Sequence, residues 1–163
     1  QYENILPLHE GGLSLNQKYC WIDAKAMLQH SNRQPNTDAP PHSSSKIIRL
    51  YKGPFLGDED NISALQFRGQ LRNIFLQAVS ETGKYFESTE QWQKAIHCYE
   101  NGLKVENLTE TFYQRLIVCY QQIDLPAEAL RVYNRCEHVF EEEFGIPPSS
   151  KTKALSQQIK TKQ

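Results

Sequence analysis

The side chains best suited to metal binding or nucleophilic chemistry are the five histidines and four cysteines of this 163-residue chain. His97-Cys98 and Cys136-x-His138 fall on neighbouring predicted helices, and such a set imitates the ligands of a zinc site. Neighbouring residues on one helix point about 100° apart, so His97 and Cys98 do not face one metal ion together. We therefore interpret these pairs as buried cysteines beside exposed histidines, and we predict no metal site.

Acidic and glycine-containing stretches offer two further candidate ligand sites. Asp58–Asp60 precede a predicted helix, where carboxylates favour the positive end of the helix dipole, and the alternating oxygen ligands of a calcium loop are missing. The stretch Gly53–Gly57 contains a proline, which removes a backbone donor that a phosphate-binding loop would use. We interpret it as a rigid, buried corner anchored by Phe55 and Leu56.

Catalytic motifs are absent from the sequence. It contains no Gly-x-Ser-x-Gly nucleophile elbow, no phosphate-binding loop and no dinucleotide fingerprint. No set of nucleophile, base and oxyanion donor converges in the pattern. The sequence therefore predicts a protein that is not an enzyme and that binds no cofactor.

The charged residues balance overall but cluster near the C-terminal end. A formal net charge of -1 gives no general attraction to nucleic acid or to an anionic membrane. Glu141–Glu143 end one predicted helix, and their charges oppose its dipole, which leaves them available to an external partner. The lysines beyond them could contact nucleic-acid phosphates or form a solvated face. We favour the solvated face, because no arginine or aromatic cluster accompanies the lysines. They are Lys151, Lys153, Lys160 and Lys162.

Composition bounds the class of protein. The chain has the length of one domain, and no apolar run approaches the roughly 18 residues of a membrane span. It starts with Gln1 and its single methionine is Met27, so we expect a piece of a longer protein. The widely spaced cysteines are expected to be reduced thiols of a cytoplasmic protein.

The N-terminal part predicts a hairpin, a short helix and a loop. Residues 5–22 contain alternating apolar residues around a Gly-Gly turn, a pattern typical of a β-hairpin. Asp23 is expected to cap a short helix. The polar stretch 31–45 predicts a flexible loop or linker, and order is expected to return at Lys46.

Every predicted element beyond residue 60 is a helix. The segment from Asn61 to about Ser88 has apolar residues at helical spacing. They are Ile62, Leu65, Leu71, Ile74, Phe75, Ala78, Val79, Tyr85 and Phe86. Ser88-x-x-Gln91 has the form of a capping box and is expected to open the next helix. Thr109 is expected to cap the following helix, and Pro126 lies in the first turn of a further one.

A shift of 34 residues, the period of tetratricopeptide repeats, aligns the chain with itself. It pairs Ala95 with Ala129, Ile96 with Leu130, Tyr99 with Tyr133, Phe86 with Tyr120, Tyr85 with Cys119 and Val105 with Val139. Alanine lets two helices approach closely, and the aromatic residue one turn later fills the widening gap between them. The alignment favours a stack of helical hairpins. A helical bundle with coincidental spacing is the alternative.

The stretch EEEFGIPPSSKTKAL, residues 141–155, separates the last two predicted helices. Gly145 is expected to end the first of them in the left-handed conformation, with Ile146 supplying the accompanying hydrophobic contact. The two prolines forbid continuation, and Ser149 or Ser150 is expected to cap a last helix that closes the stack. The inner face of this helix is predicted to consist of Ala154, Leu155 and Ile159.

Several motifs follow one another in a fixed order over residues 20–160. They are Trp-Ile-Asp-Ala at 21–24, Leu-Tyr-Lys-Gly-Pro-Phe-Leu at 50–56, the helix with Trp92, Ala95 and Tyr99, the helix with Ala129, Leu130 and Tyr133, and Glu-Phe-Gly-Ile-Pro-Pro-Ser at 143–149. In this order the sequence resembles the bacterial transcriptional activator domain found in regulators of the antibiotic regulatory protein type.

The resemblance implies an all-α fold, a tetratricopeptide-like right-handed stack of antiparallel helix pairs with a short N-terminal β-hairpin. Residues 1–22 would then be the remnant hairpin of a truncated winged-helix DNA-binding domain. Residues 23–163 would be the helical domain, with 31–45 as a flexible loop. Because the recognition helix of the winged-helix domain is absent, we do not expect this chain alone to bind a promoter specifically.

The resemblance also implies a non-enzymatic regulatory and protein-interaction module of a bacterial DNA-binding transcriptional regulator, which mediates self-association or interdomain signalling. Expected partners are other domains of the same polypeptide, a second copy of the chain in a homo-oligomer, and the transcription machinery. DNA would be contacted only through the missing part of the winged-helix domain, and no membrane is expected. Two alternatives stay open, a free-standing tetratricopeptide adaptor that binds a peptide or partner protein, and a small-molecule sensor.

A set of residues is expected to carry this architecture and its interactions. Residues near the first helices would brace them against the repeats, and aromatic residues within the repeats would hold the units together. The set consists of Tyr51, Gly53, Phe55, Leu56, Trp92, Ala95, Tyr99, Ala129, Leu130, Tyr133, Gly145 and Pro148.

Overall fold

The computed structural model describes residues 8–9, 12–13, 22–31, 42–57 and 61–161. Over these ranges the elements are β1 (Leu8–His9), β2 (Gly12–Leu13), α1 (Asp23–Ser31), α2 (His42–Leu50), α3 (Ile62–Ser88), α4 (Trp92–Val105), α5 (Glu110–Gln122), α6 (Pro126–Phe144) and α7 (Ser150–Thr161). The two strands are antiparallel, with Leu8 opposite Leu13. The predicted all-α fold is confirmed. None of the described helices combines the length and the apolar character needed to cross a membrane.

The helices form a sequential stack. Each helix from α1 to α6 packs against the next one along the chain, and α7 packs against both α5 and α6. One apolar cluster runs through the stack, from Met27 in α1 through Phe75 in α3 and Leu116 in α5 to Ile159 in α7. Each unit therefore buries the apolar face of its neighbour, as in repeat proteins.

The same turn ends helices α3 and α5. Glu90 and Asp124, which the 34-residue shift superposes, both adopt the left-handed conformation with φ 55°. After each of them the next amide donates to a carbonyl five residues earlier, Gln91 to Phe86 at 2.8 Å and Leu125 to Tyr120 at 2.9 Å. This pattern is the six-to-one bond of a Schellman helix end. The repeat predicted from side chains is thus also present in the backbone.

Helix α3 begins after the capping residue Asn61, but Ile62 in its first turn lies outside the apolar stripe. The side chain of Asn61 accepts a hydrogen bond of 2.8 Å from the Ala64 amide, while the predicted acidic cap Asp58–Asp60 lies outside the described residues. Leu65 is 46% exposed and Ile62 is 75% exposed, contrary to the prediction. Leu71 follows it by nine residues, which places the two on roughly opposite sides of the helix.

Two predicted caps act differently from the expectation. Ser88 does not open α4; it is the last residue of α3, and its hydroxyl donates to the Tyr85 carbonyl at 2.9 Å. Gln91 occupies the cap position of α4 without a side-chain capping bond. Thr109 does precede α5, but its side chain caps nothing, and among the described residues its buried hydroxyl has no hydrogen-bond partner.

The loop predicted over residues 31–45 is shorter than expected at both ends. Ser31 is the last residue of α1, and His42 begins α2. Ser44 is buried in the first turn of α2, where its hydroxyl donates to Glu81 of α3 at 2.8 Å. The polar residues at the start of α2 were predicted to be part of a loop, and they are instead ordered by a hydrogen bond to the next helix. Residues 32–41 lie outside the described part.

The C-terminal segment folds back as predicted, with two changes. Gly145 takes the left-handed conformation with φ 64°, and α7 starts at Ser150 with Ile159 buried. Ile146, however, is 54% exposed and is not among the residues that pack against the core cluster. Ala154 is also exposed. The inner face of α7 instead contains Thr152 and Ser156, because polar partners on other helices meet it there.

Candidate interaction surface

The residues that the repeat predicted lie mainly in the interior. Ala95 and Ala129 are fully buried at equivalent positions of α4 and α6. Tyr99 is buried beside the Phe112 ring, whereas its repeat partner Tyr133 is half-buried and donates to Glu137 at 3.0 Å. Trp92 and Leu130 are partly buried and pack against the core cluster. These residues therefore form the scaffold beneath any interaction surface.

A buried carboxylate joins α3, α4 and α5. Glu87 Oε1 accepts hydrogen bonds from the Tyr99 hydroxyl at 2.7 Å and from Arg115 Nε at 2.8 Å. Arg115 Nη2 forms an ion pair with the second oxygen of the same carboxylate. Burial raises the pKa of Tyr99, so its hydroxyl stays protonated and acts as a donor. Tyr99 was predicted from the repeat, whereas Glu87 and Arg115 were not, because no repeat position indicated them.

A second carboxylate ties the start of the stack to α3 and to the end of α4. Glu106 accepts from the Tyr51 hydroxyl at 3.0 Å and from Arg72 Nε at 2.8 Å. Burial, and then the hydrogen bond to Glu106, raises the pKa of Tyr51 to about 12. The Tyr51 ring also stacks on Phe75, with a centroid distance of 4.6 Å. Tyr51 thus lies where a brace between the first helices and the repeats was predicted.

The corner at residues 53–57 is held by backbone and ring contacts. Phe55 packs edge to face on Phe67 at 4.8 Å, and its carbonyl accepts from Arg68 Nε at 3.0 Å. Leu56 is 59% exposed and does not anchor the corner, contrary to the prediction, because it occupies the left-handed tip of a turn with φ 57°. Gly53 has a φ of 148°, which favours glycine.

A third carboxylate caps the last helix from a distant position in the sequence. Glu110 of α5 accepts from the Ser149 amide at 2.8 Å and from the Thr152 hydroxyl, which Gln114 also contacts at 2.9 Å. Burial tends to raise the pKa of Glu110, but the hydrogen bonds from Thr152 and Ser149 outweigh it and lower the pKa. Pro148, just before this cap, is buried. The cap fixes α7 to α5.

The thiols in the described residues are buried, and the histidines beside Cys98 and Cys136 are exposed. Cys98 and Cys136 are buried, whereas His97 and His138 face solvent, which confirms the predicted alternation. Burial raises the pKa of the Cys98 thiol to about 12, and its sulfur contacts the Val79 carbonyl at 3.6 Å. Among the described residues, no three His, Cys, Asp or Glu side chains gather as metal ligands. Cys20 lies outside these residues.

An open groove lies between α2 and α4, with α3 as its floor. Its volume is about 420 Å³. The residues that line it are Ser45, Ile48, Arg49, Thr82, Phe86, Gln93, Lys94, His97, Cys98 and Asn101. Lys94 lies 5.8 Å from the Phe86 ring centroid, and the exposed Arg49 carries a second positive charge. We call this feature the α2–α4 groove. No carboxylate lines it, so its rim is positively charged.

The opposite charge is concentrated at the end of α6. Glu141–Glu143 are exposed, and Phe144 is 53% exposed although its ring packs edge to face on Phe140 at 5.7 Å. Glu142 accepts from His138 at 3.2 Å. These carboxylates lie at the negative end of the α6 dipole, and no basic residue in its last turn offsets them. We call residues 141–144 the acidic ridge.

A second cavity, of about 440 Å³, lies between α1, the corner and α3. It is lined by Asp23, Ala24, Met27, Lys52, Gly53, Pro54, Phe55, Leu56 and Leu71. The apolar part of this lining belongs to the core cluster around Met27 and Leu71. Its charged groups, Asp23 and Lys52, carry opposite signs, so this cavity favours no particular charge on a ligand.

Comparison with known proteins gives one family and one related structure. The family model for the bacterial transcriptional activator domain matches residues 23–160. The fold is similar to that of Mycobacterium tuberculosis EmbR, solved in complex with a low affinity phosphopeptide, with a TM-score of 0.62 and 18% sequence identity. That match covers 99% of this chain and 44% of the EmbR chain, so this chain spans less than half of that protein. No curated protein matches the sequence.

Proposed function

Because the chain belongs to the bacterial transcriptional activator domain family, we propose that it acts as the non-enzymatic regulatory module of a DNA-binding transcriptional regulator. In this proposal it mediates self-association or signalling between domains. Residues 1–22 are the end of a winged-helix DNA-binding domain, and residues 23–163 form the module that responds to partners. Other domains of the same polypeptide and the transcription machinery are the expected partners.

The observation that carries this proposal is that three interior carboxylates all bind groups of the same chain. Glu87 joins three helices, Glu106 joins the start of the stack to α3 and α4, and Glu110 fixes α7 to α5. Each of these carboxylates is occupied by contacts within the chain. The open features are on the surface instead, which supports recognition of a partner protein and gives no support to catalysis.

Links between units make the stack suitable for passing a signal along its length. Arg135 of α6 forms two hydrogen bonds of 3.0 Å with Glu100 of α4, and its guanidinium lies 5.4 Å from the centroid of the Tyr113 ring in α5. A partner that binds one unit therefore acts on a continuous, cross-linked body. Packed elements with two discrete arrangements are the physical basis of such coupling.

A free-standing peptide-binding adaptor is the second candidate function, and one observation favours it. Helix α7 packs on α5 and α6 and leaves the α2–α4 groove unfilled. An adaptor of this kind would bind a peptide segment in that groove without any DNA-binding domain. A peptide ligand such as the one bound to EmbR is the type of partner this function would need.

Transcription by the intact regulator tests the proposed function. A regulator with the complete DNA-binding domain is compared with a variant that lacks residues 24–163, and promoter binding, oligomeric state and transcription from the promoter are measured. We expect the deletion to abolish activation or to change the oligomeric state. A regulator that activates equally well without these residues, in an unchanged oligomeric state, would show that the module has no regulatory role. Gly69→Ala, at an exposed position of α3, serves as the folded control.

A further inference from the structure

Two surfaces of this chain are unexplained by contacts within it. The α2–α4 groove is apolar at its floor and positive at its rim, and the acidic ridge carries three adjacent glutamates and an exposed aromatic ring. Their charges are opposite, and each surface also exposes apolar groups. A contact between these surfaces rests on the proposed function, because it would be the self-association which that function includes.

The groove has the features of a binding site. Ile48, Phe86 and Cys98 provide apolar surface, while Arg49 and Lys94 are exposed at its edges. Arg49 makes no ion pair with any residue that the structure describes. Thr82 is only 4% exposed, and within the described ranges its hydroxyl has no hydrogen-bond partner. Because a buried polar group without a partner costs free energy, a ligand that supplied one would be favoured at this position.

The ridge has complementary features. Its carboxylates lie at the negative end of the α6 dipole, where an external cation would be favourable. Phe144 keeps more than half of its surface in water, so burying its ring against a partner would be favourable. A groove of about 420 Å³ has room for one aromatic ring and the side chains beside it.

The ridge does not reach the groove of its own chain. Helix α6 packs on α5 and α7 and touches α4 through the Arg135–Glu100 contact, but the acidic ridge lies beyond Arg135 at the far end of α6, and α4 separates α6 from α2 and α3 in the order of the stack. A contact between ridge and groove must therefore join two copies.

We propose that the α2–α4 groove binds the acidic ridge of a second copy of this chain. Phe144 of the incoming copy lies over Ile48 and Phe86, and its glutamates pair with Arg49 and Lys94. The contact joins different surfaces of the two copies, so it is a head-to-tail interface that can be repeated by further copies or closed into a ring.

Mixing two complementary variants of the 163-residue chain tests this interface. The groove variant is Arg49→Glu with Lys94→Glu, and the ridge variant is Glu142→Lys with Phe144→Ser. Sedimentation of the wild-type chain over a concentration series is expected to show association, and each variant alone is expected to weaken it by roughly tenfold or more. An equimolar mixture is expected to form a discrete heterodimer, because the groove variant keeps an intact ridge and the ridge variant keeps an intact groove.

Controls separate the interface from loss of folding and from general charge effects. Lys25→Glu with Lys84→Glu changes the same amount of charge at exposed positions outside the groove, and we expect it to associate like the wild type. Helical content from circular dichroism must be unchanged in all variants. If the groove variant unfolds, Lys94→Gln replaces it and is expected to weaken association to a smaller extent.

Several outcomes would overturn the proposal. A wild-type chain that stays monomeric at millimolar concentration, or a mixture that stays monomeric while the wild type associates, excludes the ridge as the occupant. A synthetic peptide of residues 138–147 that binds a monomeric wild-type chain would show instead that the groove takes an acidic segment from another protein. A monomeric chain whose deletion still abolishes activation would contradict this inference and leave the proposed regulatory function intact.

Discussion

The ring of Tyr99 in α4 occupies the space where a Cβ atom on Gly83 of α3 would lie. The two helices approach closely at this point, and the Tyr99 hydroxyl crosses to Glu87 one turn further along α3. The glycine is required here by the close approach of the ring, since it has an ordinary helical backbone. The close packing of α4 on α3 at this point therefore depends on a missing side chain.

Gly83→Ala is expected to destabilise the chain, whereas Gly69→Ala is expected to stabilise it. A methyl group at position 83 meets the Tyr99 ring, and overpacking of this kind costs about 1–3 kcal/mol. Gly69 is exposed on the same helix with nothing near its missing Cβ, so alanine gains about 1 kcal/mol of helix propensity there. Chemical denaturation of both variants measures the two effects. Equal changes in stability at both positions would rule out the close approach.

Glycine at the left-handed turn positions is expected to stabilise the stack. Non-glycine residues pay roughly 1–2 kcal/mol for the left-handed conformation, so Glu90→Gly should raise the free energy of unfolding by about that order. Asp124→Gly should gain less, because aspartate tolerates this conformation better. Thermal melts of the two variants provide the comparison. A loss of stability in Glu90→Gly, beyond the entropy cost of glycine, would contradict the assigned turn.

Removing Arg115 is expected to cost more than removing the Tyr99 hydroxyl. Tyr99→Phe deletes one neutral donor and should cost about 1 kcal/mol. Arg115→Met leaves the buried Glu87 carboxylate without its cation, and the cost should be larger but below the 3–5 kcal/mol of a fully buried pair, since Arg115 is partly exposed. Denaturation of both single variants and the double variant gives the coupling energy. Strictly additive effects would show that the three side chains do not act as one network.

Acid should weaken the attachment of α7 through Glu110. Its pKa is lower in the folded chain than the ordinary value of 4.5, so the folded state binds fewer protons than the unfolded state near that pH. The resulting stability is fully present above 4.5 and is lost as the pH falls through the lower folded value. Glu110→Gln should therefore have a lower free energy of unfolding than the wild type at neutral pH. The two values should converge in acid, as measured by denaturation at a series of pH values.

The control for this experiment is Glu143→Gln. The Glu143 side chain is exposed and has no hydrogen-bond partner within the described ranges. We expect this variant to lack the loss of stability that Glu110→Gln shows at neutral pH, because the Glu143 charge opposes the α6 dipole and caps no helix. A wild-type minus Glu110→Gln difference that grows toward acid would have the wrong sign for a lowered pKa and would contradict the cap.

The fold was predictable from sequence because its signals are local and periodic. Apolar spacing identified α3 to α6, and the pairing of Ala95 with Ala129 identified the repeat. The errors occurred where contacts between distant residues decide the structure. Ser44 is ordered by Glu81 and α7 is capped by Glu110, and neither pairing has a spacing rule that sequence patterns express.

The interaction surfaces were less predictable than the interior. The exposed glutamates of the acidic ridge were visible in the sequence as charges that oppose a helix dipole. The α2–α4 groove was not, because its lining comes from three helices and includes Thr82, an ordinary helix residue until its neighbours are placed. Sequence patterns identified residues that hold the stack together more readily than residues that are open to partners.

The matching turns at Glu90 and Asp124 lie one 34-residue repeat apart and share one backbone geometry. Because Gln91 and Leu125 make equivalent hydrogen bonds to Phe86 and Tyr120, an excision of residues 91–124 would join two chain ends that already share one backbone geometry. Insertion of one more such unit would meet the same condition. In this part of the chain, the stack can therefore be lengthened or shortened by whole repeats. A gene duplication or deletion of 34 residues would preserve the backbone geometry at each turn.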